Sequence, residues 1–243
     1  MKGERPFLTA EWRSLAMLNY VVQPDLIAPL VPPGTEPDLF EGRTYVSLVG
    51  FRFLRTRVLG LGIPFHEAFE EVNLRFYVRR IERGTVRRGV VFIREIVPLP
   101  AVALVARLAF HENYVAFPMS HTYERQGDAQ GIRIAYGWRI HGAWNRIALV
   151  CSGSPELPRE GSLDQFITEH YWGYCKQRDQ ISLEYEVRHE PWLVWKAERA
   201  ELQGDPAQTY GPSFARALGQ EPDSAFLAEG SAVSVSRGRR LPP

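Results

Sequence analysis

The sequence predicts a strand-rich single domain in which a large, strongly bent sheet or barrel carries a few helices. Three observations predict it. Several segments alternate apolar and polar residues with a period of two. Glycine and proline punctuate the chain at short intervals, as they do between strands. No internal repeat, low-complexity tract or linker divides the 243 residues, so they are read as one domain over 1–243 with one sizeable core.

The elements follow in chain order. QPDLIAPLVPPG (23–34) reads as a short helix, opened by Pro24 and stopped by Pro32 and Pro33. RTYVSLVGFRFL (43–54) reads as a strand. EEVNLRFYVRRI (70–81) alternates cleanly: Val72, Leu74, Phe76 and Val78 face one way, and Glu71, Asn73, Arg75, Tyr77 and Arg79 the other. VRRGVVFIREIV (86–97) follows as its hairpin partner through an Arg83–Gly84 turn. AVALVARLAFH (101–111) is apolar around nearly its whole circumference, which predicts a buried helix. GIRIAYGWRI (131–140) and AWNRIALVC (143–151) are strands. Ser162 and Gln165 fit a capping box, and Leu163, Phe166, Ile167, His170 and Tyr171 give the stripe of a third helix. ISLEYEVRHE (181–190), PWLVWKAERAEL (191–202) and SAVSVS (231–236) complete the strands. The tail RGRRLPP (237–243) is expected to fray.

Composition excludes several classes of function. Lys+Arg number 29 against 28 Asp+Glu, a balance that gives no reason to expect nucleic acid or an anionic membrane as partner. Cys151 and Cys175 are too few for a disulfide framework or a thiolate zinc site. The histidines show no HExxH or paired-ligand spacing, so neither metal nor other cofactor is expected. MKGERPFLTAEW lacks the apolar stretch of a signal peptide, and no apolar run approaches the ~20 residues of a membrane span. A cytoplasmic location is the expectation. Lysine is scarce: Lys2, Lys176 and Lys196 are all there are. An enzyme working through a Schiff base needs one of them.

Two local features suit chemistry. The polar row of 71–79 sets a carboxylate, an amide, a guanidinium and a phenol at ~7 Å intervals. Arg75 supplies charge, Asn73 and Tyr77 hydrogen bonds, and Glu71 an acid or base for a small polar or anionic ligand. The same row also fits a solvated strand face with a Glu-to-Arg ion pair. Arg107 is the second feature, as the one charge in the apolar helix. A buried guanidinium needs a carboxylate or a route to water, and Glu71 is a plausible partner.

Taken together, LNYVVQPDLIAPLVPPG (18–34), GRTYVSLVGFRF (42–53), EEVNLRFYV (70–78), RGVVFIREI (88–96), AVALVARLAF (101–110), LDQFITEHYWGYC (163–175) and EPWLVWKAE (190–198) resemble the YqjF-like bacterial family of unknown function, in the acetoacetate decarboxylase-like superfamily. The resemblance implies an α+β fold: a cone-shaped, mostly antiparallel β-barrel with a few packed helices and a ligand pocket inside. It matches Arg13 to a pocket arginine, Glu71 to a pocket carboxylate and Arg107 to the arginine preceding the superfamily's nucleophilic lysine. The lysine position itself falls at Asn113–Tyr114, and a second pocket carboxylate falls near Leu48–Val49. Both groups are missing, so lysine-dependent decarboxylation is not expected.

Three functions stay open on the sequence. The first is a pocket that binds a small polar or carboxylate-bearing organic molecule through Arg13, Asn73, Arg75, Tyr77 and Arg107, with no turnover. The second is a lysine-independent lyase, isomerase or hydrolase acting on a small oxo or hydroxy acid. Its catalytic residues are Glu71 as acid or base and Tyr114 as proton donor. The third is an interaction module with a filled barrel. A homodimer is what the superfamily and the tryptophan and tyrosine content imply.

Overall fold

The computed structural model describes residues 5–126, 131–177, 179 and 181–241. In chain order they form β1 (Leu8–Val22), α1 (Pro24–Ile27), β2 (Glu36–Pro37), β3 (Thr44–Val58), β4 (Leu61–Gly62), β5 (Phe69–Glu82), β6 (Thr85–Val97), α2 (Pro100–Phe110), β7 (Tyr114–Ala116), β8 (Met119–Gln126), β9 (Gly131–Ile140) and β10 (Ala143–Cys151). There follow α3 (Leu163–Thr168), β11 (Trp172–Lys176), β12 (Ser182–His189), β13 (Val194–Gln203), α4 (Pro206–Leu218), β14 (Ser224–Ala228), β15 (Ala232–Val235) and β16 (Arg239–Arg240).

The strands pair in a ring. β3, β5, β6, β11, β12, β15 and β1 follow one another, and β1 pairs again with β3. β11 and β7 run parallel to β6, and the other pairs are antiparallel. β14, β13, β10, β9 and β8 continue from β1 as a wing. The wing explains why β5 is buried on both faces. Its Val72, Leu74, Phe76 and Val78 pack in one core with Ile134, Tyr136, Trp138, Ile147 and Leu149 of the wing. Its other face looks into the ring. The β5–β6 hairpin turns at Arg83 (φ 51°) and Gly84 (φ 78°), the paired positive angles of a tight two-residue turn.

Several sequence expectations need correction. α2 is not buried: only Ala103 is, while Leu104, Arg107 and Leu108 face outward. The helix walls the ring's mouth with Val102, Val105, Ala106 and Phe110, so its apolar inner side meets a cavity rather than a core. The third helix stops at Thr168, and Trp172–Lys176 pair with β6 and β12 as a strand. Gly173 is needed in that strand, because a Cβ there would collide with the Tyr185 ring. The tail is anchored rather than frayed. Arg239 and Arg240 pair with β12, and Leu241 is buried. Pro242 and Pro243 lie outside the described residues, as does Lys2. β1, β8 and α4 were not anticipated. Among the described residues, no helix is long and apolar enough to cross a membrane.

Candidate functional site

A cavity of about 240 Å³ occupies the ring interior. Its walls are mostly aromatic and aliphatic, including Trp12, Phe51, Phe53, Phe92, Trp172 and Trp192. Its polar groups come from neighbouring strands. The two-residue period of β5 sends Glu71, Asn73 and Arg75 inward. Asn73 faces Glu95 across the β5–β6 ladder, and Glu95 faces Tyr114 across β6–β7. Three strands thus set an amide, a carboxyl and a phenol side by side. Glu112, just before β7, and Tyr185 of β12 complete the cluster.

The hydrogen bonds join these groups. Asn73 Nδ2 donates to Glu71 Oε1 at 2.9 Å, and the Tyr114 hydroxyl donates to Glu71 Oε2 at 3.0 Å. The Tyr185 hydroxyl donates to Glu112 Oε1 at 2.9 Å. Burial pushes the Glu71 carboxyl up to about 7, against the pull of Asn73, Tyr114 and the Arg75 charge. Burial pushes Glu112 up to about 8. Glu95 rises well above the usual carboxyl range, through burial and then the charges of Glu112 and Glu71.

Arg75 sits further along the cavity. Its Nη2 donates to the Ile167 carbonyl of α3 at 3.3 Å. His170 and His189 line the same region. Burial, with the Arg75 charge adding to it, holds both imidazoles down to about 4. His170 Nε2 contacts Asp38 Oδ2 at 3.1 Å, and Arg88 Nε donates to the same oxygen at 2.7 Å.

Nine buried side-chain polar atoms among the described residues have no hydrogen-bond partner, and six belong to cavity residues: Trp12, Thr56, Asn73, Arg75, Glu95 and His170. Folded chains normally pair such atoms.

The structure brings Glu71, Asn73, Arg75 and Tyr114 together in the cavity wall. It separates the others. Tyr77 does not line the cavity; its hydroxyl pairs with Ser47 Oγ at 2.6 Å, which donates to Asn19. Arg107 is exposed and does not pair with Glu71. Its Nε donates to the Tyr114 carbonyl at 2.7 Å, which fixes β7 beside the cavity. Arg13 lies in a separate groove with Arg52 and His121, tied to Glu11. A bulge between Arg13 and Ala16 redirects β1 there. Glu95, Glu112, Tyr185 and His170 escaped the sequence reading. The one available signal was Glu95, the lone carboxyl in the apolar run of β6. Among the described residues, no cluster could hold a metal ion, and no lysine lines the cavity. Lys176 and Lys196 are exposed.

The model of DUF2071, an uncharacterized conserved protein family, matches residues 9–232. The chain belongs to this family. It is 30% identical over 197 residues to the uncharacterized protein YqjF of Bacillus subtilis (strain 168), covering 77% of this chain and 74% of that one. The fold is shared with acetoacetate decarboxylase-like proteins. Acetoacetate decarboxylase from Legionella pneumophila superposes with a TM-score of 0.70 at 12% identity, over 100% of this chain and 92% of that one. The enduracididine biosynthesis enzyme MppR complexed with pyruvate gives 0.69 at 15% identity, over 98% and 91%. An acetoacetate decarboxylase-like enzyme from Sphingomonas wittichii RW1 gives 0.65 at 14%, over 96% and 92%. Within this DUF2071 member, Asn113 Nδ2 donates to the Ile93 carbonyl at 2.8 Å.

Proposed function

We propose that this protein binds a small organic carboxylate in the ring cavity and does so without Schiff-base chemistry. One observation carries the reading: buried polar atoms without partners concentrate in a single, largely apolar cavity. An unpaired buried donor or acceptor costs about 1–3 kcal/mol, which a ligand that pairs it recovers. Arg75, with an unpaired Nε, is the anion's recipient. The aromatic walls hold the hydrocarbon body. The MppR structure with pyruvate supports the class, because that protein of the same fold is complexed with a small oxo acid.

A second reading has its own support. Glu71, pushed up to about 7 and bonded to the Tyr114 phenol, is poised to exchange a proton near neutral pH. Glu71 then acts as acid or base and Tyr114 as proton donor on the bound acid.

One experiment addresses both. Small aliphatic, aromatic and oxo carboxylates are titrated into the protein and followed by thermal shift and NMR. At least one is expected to bind saturably, stabilising the fold by about 2.7 kcal/mol at a hundredfold excess over Kd. Arg75→Gln is expected to weaken that binding about tenfold or more. Consumption of the ligand that stops in Glu71→Gln supports the second reading. Equal affinity in Arg75→Gln, or no binding across the panel, overturns the first.

A further inference from the structure

The cavity is electrically lopsided. Among the described residues its only guanidinium is Arg75, flanked by His170 and His189. Beyond it lie Glu71, Glu95 and Glu112 with two phenols, Tyr114 and Tyr185. No ion pair joins any of these carboxyls to Arg75 or to another cation among the described residues. Buried carboxyls are ordinarily paired with a cation. Among the described residues no cation bonds to these carboxyls, the Arg75 charge reaches Glu71 only from a distance, and Glu95 Oε2 lacks a donor altogether.

A ligand that is only an anion does not answer this arrangement. Its carboxylate would use Arg75 and leave three carboxyls against its apolar body. A neutral ligand would leave Arg75 uncompensated as well. An ammonium group brings one positive charge and three donors, enough to serve Glu71, Glu95 and Glu112 together. The spacing is compatible with one molecule. Arg75 and Glu71 stand four residues apart on β5, about 13 Å along the strand, and Asn73, which faces Glu95, stands about 7 Å from Arg75. Side chains reaching inward shorten both spans.

We infer that the cavity's ligand is bipolar, a carboxylate at Arg75 joined through a short apolar body to a protonated amine held by Glu71, Glu95 and Glu112. This rests on the carboxylate reading of Arg75 and names the other end of the molecule. It also assigns roles to Glu95 and Glu112 that simple carboxylate binding leaves without one.

Two matched series test it by calorimetry at neutral pH. One is para-(aminomethyl)benzoate, para-toluate and para-methylbenzylamine. The other is ω-aminohexanoate, hexanoate and hexylamine. The bipolar member of at least one series is expected to bind about tenfold or more tighter than its acid-only analogue. That advantage is expected to collapse in Glu95→Gln, and in Glu71→Gln should the first variant fold poorly, while the acid-only analogue keeps its affinity. If the acid-only analogue binds as tightly as the bipolar molecule, the inference is overturned and the carboxylate reading stands. If the amine alone matches the bipolar molecule, Arg75 is not in use and both fall. Absence of binding across both series overturns both.

Discussion

Glu184 and Tyr185 are neighbours on β12, and the pleat sends them to opposite faces of one barrel wall. On one face, Glu184 is fully buried among arginines. Its Oε1 accepts from Arg87 and Arg239, each at 2.7 Å, and its Oε2 accepts from Tyr174 at 3.0 Å and Arg80 at 3.4 Å. On the other face, Tyr185 donates to Glu112, which shares the cavity with Glu71 and Glu95 and has no arginine bonded to it. The difference separates two uses of a buried carboxyl. Glu184 is satisfied by its own chain and ties the C-terminal tail to the ring. The cavity carboxyls are bonded by phenols and an amide rather than by guanidiniums, and Glu95 Oε2 has no donor, an arrangement that fits the proposed binding site.

The largest expected effect tests the satisfied side. Glu184→Ala strands three guanidiniums around Glu82 alone and is expected to destabilise the fold by about 3 kcal/mol in urea unfolding. Glu71→Gln, which removes a carboxyl that no described cation bonds, is expected to stay within about 1 kcal/mol of the parent. Equal losses in the two variants would break the distinction.

The next effect is a pH dependence. Glu71 at about 7 and Glu112 at about 8 lie above their unfolded values near 4.5, so the folded chain holds more protons than the unfolded one across that interval. Stability from these groups is complete below their unfolded values and is lost as pH rises through 7 and 8. His170 and His189, held down to about 4, work the other way below their unfolded 6.5. The clean window is therefore pH 6.5 to 8. There, unfolding free energy is expected to fall with pH by on the order of 1 kcal/mol per unit for each carboxyl still protonated. Urea midpoints across that window are expected to show a shallower slope in Glu71→Gln.

What the sequence makes legible follows from the range of the interactions. The alternation of 71–77 is local, and it finds Glu71, Asn73 and Arg75 on one face. It cannot say that Tyr77, on the same face, is taken by Ser47 of β3. Glu95, Glu112 and Tyr185 join the site only because β6, β7 and β12 meet around the ring, a pairing of distant segments with no local signature. Tyr171, Trp172 and Tyr174 fit a helical stripe as well as a strand, and the partners of β11 decide. A helix such as α2, apolar around nearly its whole circumference, reads as a core helix because periodicity does not distinguish a cavity wall from a packed interior.

The smallest effect probes the bond between the two residues that the sequence nominates for catalysis. Tyr114→Phe removes the hydroxyl that donates to Glu71 Oε2 and keeps the ring that lines the cavity. The bond favours the ionised carboxyl, so its loss raises the Glu71 midpoint above about 7 while Asn73 continues to donate. At pH 8, where ionised Glu71 draws most on its donors, the variant is expected to lose about 1 kcal/mol; at pH 5, with Glu71 protonated in both proteins, less. Carbon NMR titration of labelled glutamate side chains follows the midpoint directly. Tyr174→Phe removes the equivalent bond to Glu184 across the wall, but Arg87 and Arg239 still hold that carboxyl at 2.7 Å. Its stability loss is therefore expected to vary little between pH 5 and 8. A pH-independent loss in Tyr114→Phe as well would mean that ionised Glu71 does not draw on its phenol more than the protonated acid does.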